Sequence, residues 1–347
     1  MKDQLFGKDL NELQEISVAL GLPKYTAKQL ADWLYKKEIS SIDEMSNLSK
    51  NTRALLNEKF EFGLTTPLKV QMSIDGTKKY LFPTLHNKFI ETAMIPDDDR
   101  KTVCVSTQVG CKMGCLFCMT GKQGFQGQLT AGEIVNQIRS IKEYGDVSNI
   151  VYMGMGEPFD NLDAVLKSLD ILTSEWGFAM SPRRITVSSI GIIPAMIRFL
   201  NESEAHLAIS LHTPFDEERR KLMPVQIAYP IADVVREIKG WDFGRQRRVS
   251  FEYILFKGLN DTPLHIRELV KLLSGIRCRI NLIRFHAVPG TPLESPDEET
   301  INNFRDQLTA KEITTTIRAS RGQDIYAACG LLSTKELMLP KGESETN

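Results

Sequence analysis

The 347-residue chain is predicted to be an α/β protein: a partial (β/α)6 barrel with a small N-terminal helical domain and a β-hairpin extension. Three observations predict it. From about residue 97 to 331, short apolar strands alternate with amphipathic helical stretches, the pattern of a parallel sheet with helices outside. About six such units occur, short of the eight that close a full barrel. Before them, residues 1–64 carry apolar side chains at helical spacing, and residues 65–96 alternate with the period of a strand.

Taken in order, the helical region repeats Leu10, Leu13, Ile16 and Leu20, then Leu30, Trp33 and Leu34. Asp9 and Thr26 are the expected helix caps, and Gly21 and Pro23 punctuate the break between them. Lys69–Ser73, the turn Asp75-Gly76 and Lys79–Phe82 read as a hairpin, followed by a strand at Phe89–Met94. Core strands are expected at Val103–Ser106, Ile150–Met153, Ile185–Ser188, Leu207–Leu211, Ser250–Leu255, Ile280–Phe285 and Thr314–Arg318. Helices are expected at Thr130–Tyr144, Leu162–Glu175 and Pro263–Leu273. Residues 332–347 read as a C-terminal tail, frayed over Lys341–Asn347.

Composition narrows the function. At 42% hydrophobic and 25% charged, the chain has the balance of a soluble globular protein. No apolar run is long enough for a bilayer, and Met1–Phe6 lacks the apolar core of a signal peptide, so no membrane partner and a cytoplasmic location are expected. A formal net charge of -1 argues against a nucleic-acid coat protein but leaves room for a local basic surface. Arg183-Arg184, Arg219-Arg220-Lys221 and Arg245, Arg247, Arg248 are the candidates, each read first as ordinary solvated surface.

Four of the six cysteines fall within fifteen residues, which suggests a metal or redox site. Cys111, Cys115 and Cys118, spaced C-x3-C-x2-C on a loop after a strand, can hold three irons of a [4Fe–4S] cluster. The fourth iron is then open to the amino and carboxylate groups of S-adenosylmethionine (SAM), and Phe117 is placed to shield the cluster. A zinc knuckle is the rival reading and needs a fourth ligand, for which Cys104 in the preceding strand is the candidate. Gly154-Met155-Gly156-Glu157-Pro158 follows the second strand. Its glycines allow close approach to a ligand, and its carboxylate can accept from an ammonium group. Ser188, and Ser210-Leu211-His212, end the next two strands and point polar groups at the same rim. Cys104, Cys278 and Cys329 stand outside the cluster spacing and read as buried apolar thiols. For Cys104 and Cys329 a transient catalytic disulfide stays open beside that reading.

The chain resembles the RlmN/Cfr family of radical SAM RNA methyltransferases. The resemblance rests on Cys104–Cys118, Gly121-Lys122-Gln123-Gly124-Phe125, Gly154–Pro158 and Ala327-Ala328-Cys329-Gly330. Gln29–Tyr35 and Met45–Lys50 are closer to its RlmN branch than to its Cfr branch, which methylates C8 of adenine instead of C2. The resemblance implies a two-step reaction with two SAM molecules. Cys329 is first methylated by displacement. An adenosyl radical then takes hydrogen from the S-methyl group, and the methylene radical adds to C2 of an adenine. Cys104 releases the product by attacking the sulfur of Cys329, and Glu91 accepts the C2 proton. SAM contacts carry over to Gly156, Glu157, Ser188, Ser210, Leu211 and His212, with His286 where the family has asparagine. The implied partners are an adenosine in the peptidyl-transferase region of 23S rRNA, the adenosine 3′ of the anticodon in tRNAs, and a reducing system such as flavodoxin, acting on a monomer. Residues 97–331 would be the radical SAM core, with the helical region gripping RNA shape and phosphates. A radical SAM activase or lyase, or a non-enzymatic RNA-binding metal protein, are the rivals. The first has no need of Cys104 and Cys329, and the second would not cleave SAM.

Overall fold

The computed structural model describes residues 2–244 and 247–334. It opens with a two-residue strand β1 (Asp3–Gln4), then helices α1 (Leu10–Ala19), α2 (Thr26–Tyr35) and α3 (Lys50–Lys59), and β2 (Phe60–Glu61), which pairs in parallel with β1. Asp9 caps α1 as expected: its carboxylate accepts from the Glu12 N–H and Glu12 returns the bond, both at 2.9 Å. Thr26 is not a cap; it is the first residue of α2, and Tyr25 holds the cap position without a side-chain bond. Tyr35 seals the unit, its buried hydroxyl donating to the Lys8 carbonyl at 2.5 Å and accepting from the Gly7 N–H at 3.1 Å.

The hairpin forms from β3 (Lys69–Met72) and β4 (Lys78–Pro83), and β5 (Phe89–Asp97) adds to it antiparallel. β5 runs across the expected boundary at residue 96 and pairs with β6 (Arg100–Cys104), Ala93 opposite Cys104. The hairpin is thereby continuous with the core sheet.

The remainder runs β7 (Gln108–Val109), α4 (Met119–Gln123), β8 (Gly127–Gln128), α5 (Ala131–Arg139), β9 (Asn149–Tyr152), α6 (Leu162–Thr173), β10 (Ile185–Ser189), α7 (Ile193–Glu202), β11 (His206–Ser210), α8 (Asp216–Leu222), α9 (Ile231–Lys239), β12 (Val249–Leu255), α10 (Pro263–Leu273), β13 (Cys278–Arg284), α11 (Glu298–Ala310) and β14 (Thr314–Ile317). One sheet takes the order β14-β13-β12-β11-β10-β9-β6-β5-β4-β3. From β6 to β14 all neighbours are parallel, so six helical crossovers join seven strands. This is the open six-unit barrel the alternation predicts, with a seventh strand, β14, at its edge. Each expected core strand is present, with its ends shifted by at most three residues.

α10 occupies its expected span. α5 stops at Arg139 and not at Tyr144, because the chain turns so that the Arg139 guanidinium lies over the Tyr144 ring at 4.7 Å. Strands covered on both faces are mostly apolar: in β12 every residue except Ser250 is buried, Glu252 among them, and Tyr253 stacks on Phe304 of α11 at 5.5 Å. Among the described residues no helix is long and apolar enough to cross a membrane.

Candidate active site

The strands from β6 onward end on one rim, where a cavity of about 640 Å³ opens. Cys111, Cys115 and Cys118 all line it. Their loop is pinned at its start by the pairing of β7 with β8 and by Gly110, at φ +71°. A Cβ at Gly110 would lie 1.7 Å from the Gly124 carbonyl oxygen, so only glycine lets the loop fold back on itself there. Burial first, and then mutual repulsion with neighbouring thiols and carboxylates, pushes the cysteines up, Cys111 to about 12. Neutral thiols in that setting give up their protons when a metal takes them. Phe117 is buried and edge-on to the His212 ring at 4.8 Å, forming the apolar wall expected of it.

The donor set fits a cluster with one open corner. Five thiols line the cavity, and three of them lie together on one loop; of the other two, Cys104 packs with Ala93 and Ala327 on the sheet and Cys329 comes from the last loop. Among the described residues no three His, Cys, Asp or Glu side chains converge as ligands of one ion do, whereas a cube spreads its thiolates over three irons.

Glu157 faces the same cavity. Its carboxylate accepts from the N–H groups of Phe159 (3.0 Å) and Ile190 (3.1 Å). Burial raises it to about 7, against the opposing pull of the Ser189 hydroxyl and those N–H groups. A carboxylate so desolvated is suited to a cationic partner. Gly156, at φ +100°, is required for a reason the sequence did not disclose: a Cβ there would meet Gln108 Cβ at 2.5 Å. Its close approach is to protein, and Gln108 Oε1 in turn accepts from the Glu157 N–H at 2.8 Å.

Ser188, Ser210, His212 and His286 line the cavity too. Burial drives His212 down to about 3, with Arg219 adding to the effect. Its Nδ1 accepts from the Ile254 N–H at 3.0 Å, which leaves the proton of the neutral ring on Nε2. His286 is buried and also lowered, by desolvation first and Arg284 second. Leu211 departs from expectation. Its side chain is wholly buried in the main core and does not line the cavity, because it points to the opposite side of the chain from its neighbours.

Arg219, read as solvated surface, is fully buried. It donates to the carbonyls of Leu211 (3.2 Å), Ser210 (2.9 Å) and Ile190 (3.0 Å) and to Gln226 (2.7 Å), so it ties the ends of β10 and β11 to α8. The signal was present: Phe215, Arg219 and Leu222 fall at i, i+4 and i+7, the inner stripe of a helix. Arg247 is likewise spent on the Ala205 and Leu200 carbonyls, at 3.0 and 2.9 Å. Arg183, Arg184, Arg220, Lys221 and Arg248 are exposed or partly so, and Arg245 lies outside the described residues.

Cys329 is exposed and Cys278 half-buried, so neither is the buried thiol its sequence context suggested. Cys104 is buried, its thiol pushed up to about 12 by burial and then by Cys329, with Arg318 opposing. The neighbours of Cys329 reach opposite sides of the cavity: Ala327 packs with Cys104, while Ala328 packs in the cluster that holds Phe117. The Gly330 carbonyl accepts from Met119 N–H, next to Cys118, at 2.8 Å. Arg318, missed by sequence reading, lines the cavity with Nη1 3.0 Å from Met153 Sδ and 3.4 Å from Glu252 Oε2.

Glu91 sits on β5 beside this group, buried, with Oε1 3.0 Å from Lys79 Nζ and Oε2 accepting from the Ser333 N–H at 3.0 Å. It is not among the residues lining the cavity. Residues 332–334, assigned to the tail, belong instead to the site. Leu332 lines the cavity, its carbonyl accepts from Thr120 Oγ1 at 2.6 Å, and Thr334 accepts from Gln123 at 2.8 Å. The expected frayed end, Lys341–Asn347, lies outside the described residues.

This fold and this cysteine-lined cavity define a radical SAM enzyme. Residues 105–273 match the radical SAM superfamily, and residues 4–62 match the ribosomal RNA large subunit methyltransferase N-terminal domain. The chain belongs to the RlmN family of dual-specificity RNA methyltransferases. It is 56% identical over 98% of its length to a protein of Phocaeicola vulgatus, itself covered to 98%, that is named a probable member of that family. It is 43% identical over 94% of its length to the dual-specificity RNA methyltransferase RlmN of Syntrophus aciditrophicus, covered to 95%. A radical SAM methyltransferase from Sphaerobacter thermophilus, solved by crystallography, superposes with a TM-score of 0.89 at 41% identity, covering 95% of this chain and 99% of that one. The family's cofactors, a [4Fe–4S] cluster and SAM, are the ones this cavity suits.

Proposed function

We propose that the protein methylates C2 of one adenine in the peptidyl-transferase region of 23S rRNA and the adenine 3′ of the anticodon in tRNAs, using Cys329 as methyl carrier. The observation that carries this reading is the placement of Cys329, flanked on one side by Cys104 and on the other by the cysteine loop. Cys111, Cys115 and Cys118 would hold the cluster, which when bound supplies one-electron cleavage of SAM. Glu157 would accept from the SAM ammonium, Gly156 would shape the turn before it, and Ser188, Ser210 and His212 would complete the cofactor's hydrogen bonds, with His286 in place of asparagine. Leu211 would serve as a packed spacer.

Cys329, exposed, takes a methyl group from SAM by displacement: the S–CH3 bond forms as the sulfonium–CH3 bond breaks. After hydrogen is removed from the S-methyl group and the carbon joins C2, the adduct gives up its unpaired electron to a one-electron acceptor and Glu91 accepts the C2 proton. Cys104 attacks the Cys329 sulfur: the S–S bond forms as the S–C bond breaks, the freed carbon takes up a proton to become the methyl group, and the disulfide is left for a cellular reductant. The exposed helical region, residues 1–64, would grip folded RNA while the target base is extruded. The remaining proposals are a cytoplasmic site of action, a flavodoxin-like electron donor and a monomeric state. Nucleoside mass spectrometry of rRNA and tRNA from cells lacking the gene tests the whole reading. Loss of 2-methyladenosine from both supports it, and retention, or loss of 8-methyladenosine instead, overturns it.

A further inference from the structure

Lys79 and Glu91 meet on the sheet with only 9% of each side chain exposed. In the strand register Lys79 lies opposite Ala93, and Ala93 opposite Cys104. Lys79 therefore shares a cross-strand row with the resolving thiol, and Glu91, opposite Leu81, is its diagonal neighbour one row nearer the rim. Both carboxylate oxygens are engaged, Oε1 by the ammonium and Oε2 by the Ser333 N–H. The Glu91 backbone is pinned as well: its carbonyl accepts from Ser106 Oγ at 2.6 Å. Burying an ammonium is costly, and an apolar side chain at position 79 would pack without that cost.

We propose that Lys79 is a positioning residue for proton acceptance, holding the Glu91 carboxylate ionised beside the cavity and fixing it through Oε1. The inference rests on Glu91 being the proton acceptor. Among the described residues, the titratable group in the same cross-strand row is Cys104 on β6, which in turn interacts with Arg318 and Cys329. A carboxylate stripped of its cation takes up a proton more readily, about tenfold more per unit of pKa, so fewer molecules can accept one from C2 at neutral pH.

The test compares Lys79→Met, Lys79→Arg and Glu91→Gln in the reconstituted holoenzyme, with Cys329 methylation measured by mass spectrometry alongside RNA methylation from pH 6 to 9. Lys79→Met is expected to methylate Cys329 normally, to lose at least about tenfold in RNA methylation near pH 7, and to recover toward pH 9. Lys79→Arg is expected to restore the neutral-pH rate. Infrared difference spectra of wild type against Glu91→Gln, which need no lysine variant, are expected to show an ionised carboxylate at pH 7. A protonated band there, a wild-type rate in Lys79→Met at every pH, or equal loss of Cys329 and RNA methylation without pH recovery would each overturn the role of Lys79. An active Glu91→Gln would instead overturn the reading on which it rests.

Discussion

Burial without a partner charge is what prepares Glu157 for a cationic ligand, and it leaves a signature in stability. Its carboxyl moves from an ordinary 4.5 to about 7 in the folded chain. Below pH 4.5 both folded and unfolded states hold the proton, and this group's share of stability is fully present. As pH rises toward 7 the unfolded chain ionises first, so that share is lost, amounting to about 3 kcal/mol. Urea melts of the metal-free protein from pH 4.5 to 8 should show the decline, and Glu157→Gln should flatten it; equal slopes would mean that the folded carboxylate is already ionised. Cys329 and Cys104 make a second pair of expectations. Cys329→Ala removes the methyl carrier, so RNA methylation should vanish while reductive cleavage of SAM to 5′-deoxyadenosine continues. Cys104→Ala should stop after carbon transfer and leave RNA covalently joined to Cys329, a mass shift readable on denaturing gels. RNA methylation by either variant at the wild-type rate would dismiss the assignment.

At the scale of elements, the cysteine loop depends on a glycine and the strand ends depend on an arginine. Gly110→Ala would place a Cβ 1.7 Å from the Gly124 carbonyl in a left-handed backbone. The turn must open, so the variant should keep its helical content yet bind well under half the iron of wild type after anaerobic reconstitution; full iron content would show that the turn is dispensable. Arg219→Met would remove a donor from three carbonyls and from Gln226 in a buried setting, leaving the Leu211 carbonyl its bond from the Thr213 N–H and Gln226 its bond from the Ile231 N–H. The expected loss is about 3 kcal/mol, read from the denaturation midpoint. These two positions also mark what was legible in the chain. The cluster cysteines, the strand rhythm and the Asp9 cap depend on residues within a turn or two of each other, and they could be read directly. Arg318 takes its meaning from strands far away in sequence, Lys79 from the next strand, β5, and Arg219 from the ends of β10 and β11. A lone basic residue on a polar helix or strand reads as surface until the fold supplies the carbonyls or the carboxylate it meets. Leu211 shows the reverse error: a residue between two cavity-lining neighbours alternates to the other side of the strand end and packs in the core.

Across the whole molecule, the hairpin and the last loop are one working unit, although they are some 250 residues apart. The ten-strand order puts the β3–β4 turn at one end of the sheet, and the loop that carries Cys329 returns from β14 to meet it. Asp75 accepts from the Gly322 N–H at 2.8 Å and the Thr77 N–H at 2.9 Å; burial acts to raise its carboxyl, but these bonds prevail and hold it at about 2. Asp324 accepts from Ser73 Oγ and, at 3.2 Å, from the Ile74 N–H. The loop needs such ties because Tyr326 sits at φ +53°, a left-handed conformation that costs a non-glycine residue about 1 kcal/mol. Asp75→Ala would free the Gly322 N–H and let the loop relax away from Cys104. Hydrogen exchange over residues 322–330 should quicken, and RNA methylation should fall several-fold. Iron content and SAM cleavage, which depend on the far wall of the cavity, should stay as in wild type. Unchanged exchange with unchanged methylation would show that the hairpin merely abuts the loop; a loss of iron as well would show that the sheet transmits the damage to the cysteine loop, and that the two walls are not independent.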